Sequence, residues 1–425
     1  MNYKSYTLHN FNSIPQISKI TADQKEAIEI VGRVLPFKTN NYVIDELINW
    51  DNVPEDPMYT LTFPRKEMLS KVSFTKIKSL IDTGASEKEL KSEIGQIRFN
   101  LNPNPADQEY NIPMLGEVRL KGVQHKYRET VLFFPSQGQT CHAYCTFCFR
   151  WPQFSGMSEL KFQMKEADLL YGYLDKHKQV TDVLFTGGDP MTMTAKVLSS
   201  YIDPLLEDRF SHIRTIRIGT KSLSYWPYRY ISDTDSKEIL ALFGRVVSSG
   251  RNLAIQAHFN HPVELGTEAV KEAVKLIRST GAQIRTQSPL LKNINDKPEL
   301  WSEMWRKQVD MNMIPYYMFI ARDTGSRAFF ELPLEKCWKI FREAYGNVSG
   351  VCRTVRGPSM SASPGKIQVL GVSKVNGEKV FVLRFIQGRK SKWTCTPFFA
   401  KYNPEATWFD QLVPAFGDEK FFFEK

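Results

Sequence analysis

Hydrophobic positions keep two different periods along this chain, and the change comes near residue 121. Before it the spacing is helical. Ala27, Ile28, Val31 and Val34 recur three and four apart within Thr21–Val34, behind an acidic first turn and ahead of Pro36. Segments 66–83 and 86–97 carry the same signature, and the second opens on Ser86 with Glu89 three positions on, the pattern of a capping box. The stretch 100–116, with Pro103, Pro105 and Pro113, reads as an irregular connection. Beyond it, short apolar runs at 130–134, 183–185, 215–218, 253–257, 284–285 and 315–320 predict strands. Amphipathic segments fall between them. In 264–280 the stripe is Val270, Ala273, Val274 and Ile277, and Gly281 stops it.

Strands alternating with helices predict parallel βα units. A polar motif follows each run, at the carboxyl end where α/β barrels gather their chemistry. The expected fold class is therefore α/β, a partial barrel of six strands with helices outside; eight strands closed into a full barrel is the other count the ends allow. Three parts are expected: an N-terminal helical appendage and linker (1–120), the barrel core (121–330) and a C-terminal α+β segment (331–425). In the last, 333–345 reads as a helix, and the runs 367–372 and 380–385 flank Asn376-Gly377, a hairpin signal. The aromatic stretch from Trp393 through Phe421-Phe422-Phe423 is expected to pack as a lid or a subunit contact.

Composition narrows the class without deciding it. At 425 residues the chain exceeds what one hydrophobic core usually holds, which fits a core with appendages. Its 42% hydrophobic and 24% charged residues are those of a globular protein. The net charge of +10 comes from dispersed Lys and Arg with no basic block, so nucleic acid is not the expected partner. No apolar signal core opens the chain and no run reaches the length of a membrane span, so a cytoplasmic protein with no membrane partner is expected.

The chemistry concentrates in Cys141-His-Ala-Tyr-Cys145-Thr-Phe-Cys148-Phe-Arg150, directly after the first apolar run. Iron–sulfur clusters are held by cysteine thiolates, usually four to a four-iron cubane. A loop offering three leaves one iron open to a small molecule. The competing reading is structural zinc, but nothing nearby completes a four-ligand zinc set. Cys337, Cys352 and Cys395 are scattered and carry no expected role. Gly187-Gly188-Asp189-Pro190 follows the second run, where glycines let a backbone approach a ligand closely. His258 and Gln287 are isolated polar residues at strand ends, placed for adenosine or carboxylate contacts or else satisfied in the core. Lys366 ends a loop of small residues, Ser359 to Gly365, with room for a planar cofactor. An amine so placed can form a Schiff base with pyridoxal phosphate; the alternative is a solvated surface charge.

Taken together and in order, these motifs, with His258-Phe-Asn-His-Pro262, Asn295-Asp296 and Pro315-Tyr-Tyr317, resemble the lysine 2,3-aminomutase family of radical SAM enzymes over residues 100 to 375. The resemblance implies that Cys141, Cys145 and Cys148 hold a [4Fe–4S] cluster whose open iron binds S-adenosylmethionine (SAM). It implies that Gly187, Gly188 and Asp189 form the loop at the methionyl amine, and that Lys366 anchors pyridoxal 5′-phosphate. Arg150 would take the substrate α-carboxylate, and Tyr127 and Arg128 fall near the pyridoxal-contacting segment. The reaction implied is conversion of an α-amino acid to a β-amino acid by moving nitrogen from C2 to C3. The expected partners are a small amino acid, an electron donor such as flavodoxin or ferredoxin, and a second copy in a homo-oligomer.

The chain departs from the lysine-specific pattern at two positions. Counting from Pro315 and back from Lys366, the aspartates that bind a lysine side chain would stand at Arg322 and Ser359. Neither neutralises a buried ammonium, and an unpaired buried charge costs several kcal/mol. Arg322 suits an acidic side chain such as that of glutamate, unless a one-residue slip brings Asp323 into the pocket and restores lysine. The C-terminal zinc cysteines of some family members are reduced here to Cys395, so zinc is not expected. Outside this family, the alternatives are a radical SAM enzyme modifying RNA or protein, or a zinc-stabilised binding protein without catalysis.

Overall fold

The computed structural model describes residues 1–102, 105–157 and 161–424; of the proline-rich connection, Pro103 lies outside them. Three helices dominate the N-terminal part: α1 (Ala22–Val34), α2 (Lys71–Asp82) and α3 (Glu87–Asn100). The Thr21 and Ser86 side chains cap α1 and α3 through reciprocal boxes with Gln24 and Glu89. Such a cap satisfies N–H groups that a helix cannot satisfy within itself. This part has its own apolar core, built on Ile28, Val31, Tyr42, Tyr59 and Phe63. The same core takes in Ala143 and Trp151, on and just past the cysteine loop, together with Trp226 and Phe330.

An eleven-stranded sheet follows, laid out strictly in chain order. Its strands are β1 (Val123–Tyr127), β2 (Thr130–Phe133), β3 (Asp182–Phe185), β4 (Thr215–Thr220), β5 (Asn252–His258) and β6 (Gln283–Leu290). They continue as β7 (Ile314–Ile320), β8 (Arg356–Ala362), β9 (Gly365–Val375), β10 (Glu378–Gly388) and β11 (Pro397–Lys401). The pairings from β2 through β8 are parallel. Those of β1 with β2, and from β8 through β11, are antiparallel. Six helices, α4 (Ala167–Lys176), α5 (Ala195–Ile202), α6 (Ser236–Ser248), α7 (Glu268–Ser279), α8 (Pro298–Asp310) and α9 (Leu334–Gly346), connect the seven parallel strands.

The six strands expected from the sequence are present, with a seventh parallel strand that was not expected. Residues 359–362, read as loop, are the end of β8, and Lys366 lies on β9 just past a tight turn. Side chains alternate along each strand, as the pleat requires. Val131, Phe133, Val183, Phe185, Ile216 and Ile218 are fully buried on the helix side. Thr130, Leu132, Asp182, Leu184, Arg217 and Gln256 face a cavity on the other. The sheet curls strongly around that cavity. Lys366 Nζ on β9 lies 5.8 Å from the Tyr127 ring on β1, eight strands away in the sheet order.

The C-terminal segment continues the same sheet. The β9–β10 hairpin turns at Asn376 and Gly377, both at positive φ (50° and 83°), as a two-residue turn of this kind demands. The terminal Phe421, Phe422 and Phe423 pack with Phe385 and Phe398 of β10 and β11. Residues 413–415 run along β11, where Val413 O accepts from Lys401 N (2.9 Å) and Ala415 N donates to Phe399 O (3.2 Å).

Candidate active site

The carboxyl ends of the parallel strands open into a cavity of about 690 Å³ lined by residues of every strand from β2 to β9. Cys141, Cys145 and Cys148 line one side of it, on the loop after β2; Lys366 lines another. The three thiols are free and half-buried. Burial pushes all three up: Cys145 to about 12, with Lys221 partly offsetting it, and Cys148 to about 11, offset by the Arg150 N–H and charge. Cys141 is raised furthest, by burial and then by Asp189. Thiols so placed remain protonated until a metal displaces the proton. Among the described residues no three His, Cys, Asp or Glu side chains converge tightly enough to grip a single ion. Three cysteine sulfurs from one loop, all facing the cavity, are the donor chemistry of an iron–sulfur cluster.

The cysteine loop is held from outside the barrel. Lys38 Nζ donates to Cys141 O (2.8 Å), and Asn40 Nδ2 donates to His142 O (3.1 Å) and Tyr225 O (2.9 Å). The N–H of Tyr144 reaches Lys38 O (2.7 Å), and that of Thr146 reaches Leu61 O (2.9 Å). From inside, Asp189 N donates to Thr140 O (2.6 Å). The glycine loop is glycine for this reason. A Cβ on Gly188 would stand 2.5 Å from Thr140 O, and one on Gly187, at φ 134°, would run into the Gln139 amide. Asp189 is fully committed within the protein, accepting from Thr220 Oγ1 (2.7 and 2.9 Å), Met191 N (2.9 Å) and Lys221 N (2.9 Å). It shapes the loop.

His258 and Gln287 both line the cavity. His258 Nε2 is buried with no hydrogen-bond partner, and its pKa falls well below the ordinary value through burial and then Lys221, so the ring is neutral. An orphaned buried nitrogen beside three thiols is the kind of group a bound ligand would satisfy. Gln287 Oε1 accepts from Gln256 Nε2 (2.9 Å).

Lys366 sits in an aromatic cage. Its Nζ is 4.1 Å from the centre of the Tyr317 ring, 5.7 Å from that of Phe319, and 3.3 Å from Gln387 Oε1. Burial lowers its pKa from 10.5 to about 7. The amine is thus half neutral near pH 7, the form that attacks an aldehyde. Arg150 and Arg322 lie across the Phe149 ring, with guanidinium carbons 4.9 and 5.0 Å from its centre. Arg150 has no carboxylate partner among the described residues, and burial lowers it to about 9, still cationic at neutral pH. Arg322 contacts Asp323 at 3.3 Å, yet its Nη2 is buried and unpartnered.

Two expected site residues fall elsewhere. Arg128 occupies the exposed two-residue turn between β1 and β2, outside the cavity, whereas Tyr127 lines it. Ser359 is fully buried, donates to Met318 O (3.4 Å) and does not line the cavity. Ser361, paired in register with Lys366, does line it. Asp323 is likewise absent from the cavity wall, so the residue presented at that point is Arg322. Sequence reasoning assigned no role to Lys221, which follows the run at 215–218. The Lys221 ammonium bonds Asn260 Oδ1 (2.9 Å) and the fully buried Glu264 (2.5 Å), fastening the end of β4 to the loop after β5.

Three thiols after the first parallel strand, an orphaned imidazole beside them and a caged amine across the same cavity define an enzyme of radical SAM type on an α/β sheet. No family model matches the chain. Relatives match it along most of its length. A provisionally named L-lysine 2,3-aminomutase of Aquifex aeolicus is 29% identical over 95% of each chain. The L-lysine 2,3-aminomutase of Bacillus subtilis is 23% identical over 98% of this chain and 78% of its own. The glutamate 2,3-aminomutase of Clostridioides difficile is 22% identical over 93% and 83%. Among solved structures, a radical SAM methyltransferase from Sphaerobacter thermophilus aligns at a TM-score of 0.37 and 11% identity, over 68% of this chain and 94% of that one, too low a likeness to carry weight. The chain is thus similar along most of its length to lysine and glutamate 2,3-aminomutases, in line with the resemblance its motifs carry.

Proposed function

We propose that the protein is a pyridoxal-phosphate-dependent 2,3-aminomutase that converts an acidic α-amino acid, glutamate or a close analogue, to the β-amino acid. Cys141, Cys145 and Cys148 would hold the cluster. The Gly187-Gly188 backbone, His258 and Gln287 would border SAM, and Lys366 would anchor pyridoxal phosphate against Tyr127 and Tyr317. When bound, the cluster with SAM supplies a carbon radical that removes a substrate hydrogen atom, and the pyridoxal ring delocalises electrons. Arg150 would take one substrate carboxylate and Arg322 the other, each through a planar fork suited to bidentate pairing.

The observation that carries the acidic substrate is the charge of the cavity wall. Among the described residues its acids are Asp182, which pairs with Arg217 (2.5 Å), and Asp189, whose oxygens are already taken. An ammonium side chain would find at Phe149 the Arg150 guanidinium without a carboxylate partner and that of Arg322 only partly offset by Asp323, with no free carboxylate among the described wall residues. Lysine is the alternative substrate, favoured by the names of the relatives with higher identity. The test is to supply reconstituted, reduced enzyme and SAM with glutamate and with lysine in parallel, and to identify products by NMR. β-Glutamate supports the assignment, and β-lysine without β-glutamate overturns it.

No helix among the described residues is long and apolar enough to cross a membrane. A cytoplasmic location, a flavodoxin- or ferredoxin-like electron donor and a homo-oligomer belong to the same proposal. So does the division into an N-terminal appendage (1–120), a core (121–330) and a C-terminal segment (331–425).

A further inference from the structure

Tyr225 lies on a short helix after β4 and is 1% exposed. A buried phenol needs a hydrogen-bond partner. Its partner among the described residues is the Cys145 thiol, whose S–H donates to the phenol oxygen at 3.7 Å; as a thiolate Cys145 can only accept, and the phenol O–H becomes the donor. Its place is enforced from three sides. The Tyr225 N–H donates to Lys221 O (2.9 Å), the Lys221 ammonium sits 4.4 Å from the ring centre, and Asn40 ties the Tyr225 carbonyl to that of His142 in the cysteine loop. Asn40 is itself fully used, since its Oδ1 accepts from Val43 N (3.0 Å).

On the opposite flank of the loop, Lys38 donates to Cys141 O (2.8 Å) and lies between the Tyr3 and Tyr144 rings at 5.9 and 5.8 Å. No carboxylate pairs with it among the described residues. One hydroxyl aimed at a sulfur and one uncompensated cation at the neighbouring backbone make the same electrostatic contribution. Each favours whichever cluster state carries more negative charge, which is the reduced one, and hydrogen bonds to the sulfurs are a recognised determinant of cluster potential.

We propose that Tyr225 and Lys38 are positioning residues that raise the reduction potential of the cluster, Tyr225 by donating its hydroxyl proton to the Cys145 thiolate and Lys38 through its charge beside Cys141. This rests on the assignment of the three cysteines to a four-iron cluster. It also gives the N-terminal segment a task, because Lys38 and the Asn40 clamp both come from it.

The experiment is a redox titration, followed by EPR, of full-length protein reconstituted anaerobically as wild type, Tyr225→Phe, Lys38→Met and Lys38→Arg, with iron and sulfide counted first. All four should carry the same iron. At the wild-type midpoint the reduced-to-oxidised ratio should fall about tenfold in Tyr225→Phe, the equivalent of one hydrogen bond to a charged group and about 59 mV for one electron. Lys38→Met should shift the same way, and Lys38→Arg should restore the wild-type midpoint. Wild type without a four-iron cluster would bring down the cluster assignment and this inference together. Full iron with an unshifted midpoint in either Tyr225→Phe or Lys38→Met overturns the inference alone, as does loss of iron from either variant, which would make that residue structural.

Discussion

Lys366 carries the sharpest prediction. Burial, helped by the nearby Arg217 and Arg356 charges, brings its pKa from 10.5 to about 7. At pH 7 about half the amine is neutral, against roughly one part in three thousand for a lysine at 10.5. Capture of pyridoxal phosphate by the apo-protein should therefore rise with pH along a single curve centred near 7 and level off by pH 8.5. The measurement is stopped-flow absorbance of the Schiff-base band, with borohydride trapping and peptide mass spectrometry to locate the modified residue. A curve centred at 9 to 10 would show the amine to be solvated and refute the reasoning. So would trapping that persists in Lys366→Ala. Stability follows with a definite sign. The unfolded chain binds this proton up to 10.5 and the folded chain only up to about 7, so the cost of burying the amine is full below pH 7 and disappears as pH rises toward 10.5. Lys366→Met should thus stabilise the apo-protein by a few kcal/mol at pH 6 and by little at pH 10, read from denaturant melts.

Three further outcomes are expected. Arg322→Met should raise the KM for glutamate by at least tenfold through loss of one charge-assisted pair, while leaving SAM binding, read by calorimetry, unchanged. Gly188→Ala places a Cβ 2.5 Å from Thr140 O and 2.6 Å from Thr140 N, so the cysteine loop must move; iron retention should drop and stability should fall by about 1–3 kcal/mol. Asn40→Leu takes the Asn40 donor from Tyr225 O and leaves His142 O with Tyr3 Oη alone (2.7 Å), and should cost about 1–3 kcal/mol while making the 141–148 loop a new site of limited proteolysis.

What the sequence disclosed was what chain neighbours decide. Three thiols within eight residues declare themselves, and so do a capping box at Ser86 and an Asn376-Gly377 turn. Short apolar runs followed by polar motifs gave six strands correctly. The seventh, Arg356–Ala362, was hidden because Gly357, Pro358, Ser359 and Ser361 have little intrinsic preference for a strand; pairing with β7 and β9 imposes it. That concealed strand also explains Ser359. Counting residues back from Lys366 treats the segment as a loop, whereas pairing in the β8–β9 hairpin sets Ser361 opposite Lys366 and leaves Ser359 bonded to Met318. Arg128 failed for a similar reason, since a two-residue turn sends it outward while Tyr127 faces in. The Lys221–Glu264 and Asn40–Tyr225 contacts span 43 and 185 residues, and no local pattern announces them.

The pairing of residues 413–415 with β11 has a consequence for handling the molecule. An outermost strand offers a row of bare amide and carbonyl groups to any passing chain. Here Val413 and Ala415 occupy that row, and the phenylalanines that follow are stowed against the same end of the sheet. The tail acts as a shield. Trimmed before residue 412, the protein would keep its cysteines and Lys366 but present a sticky border, and should self-associate through it.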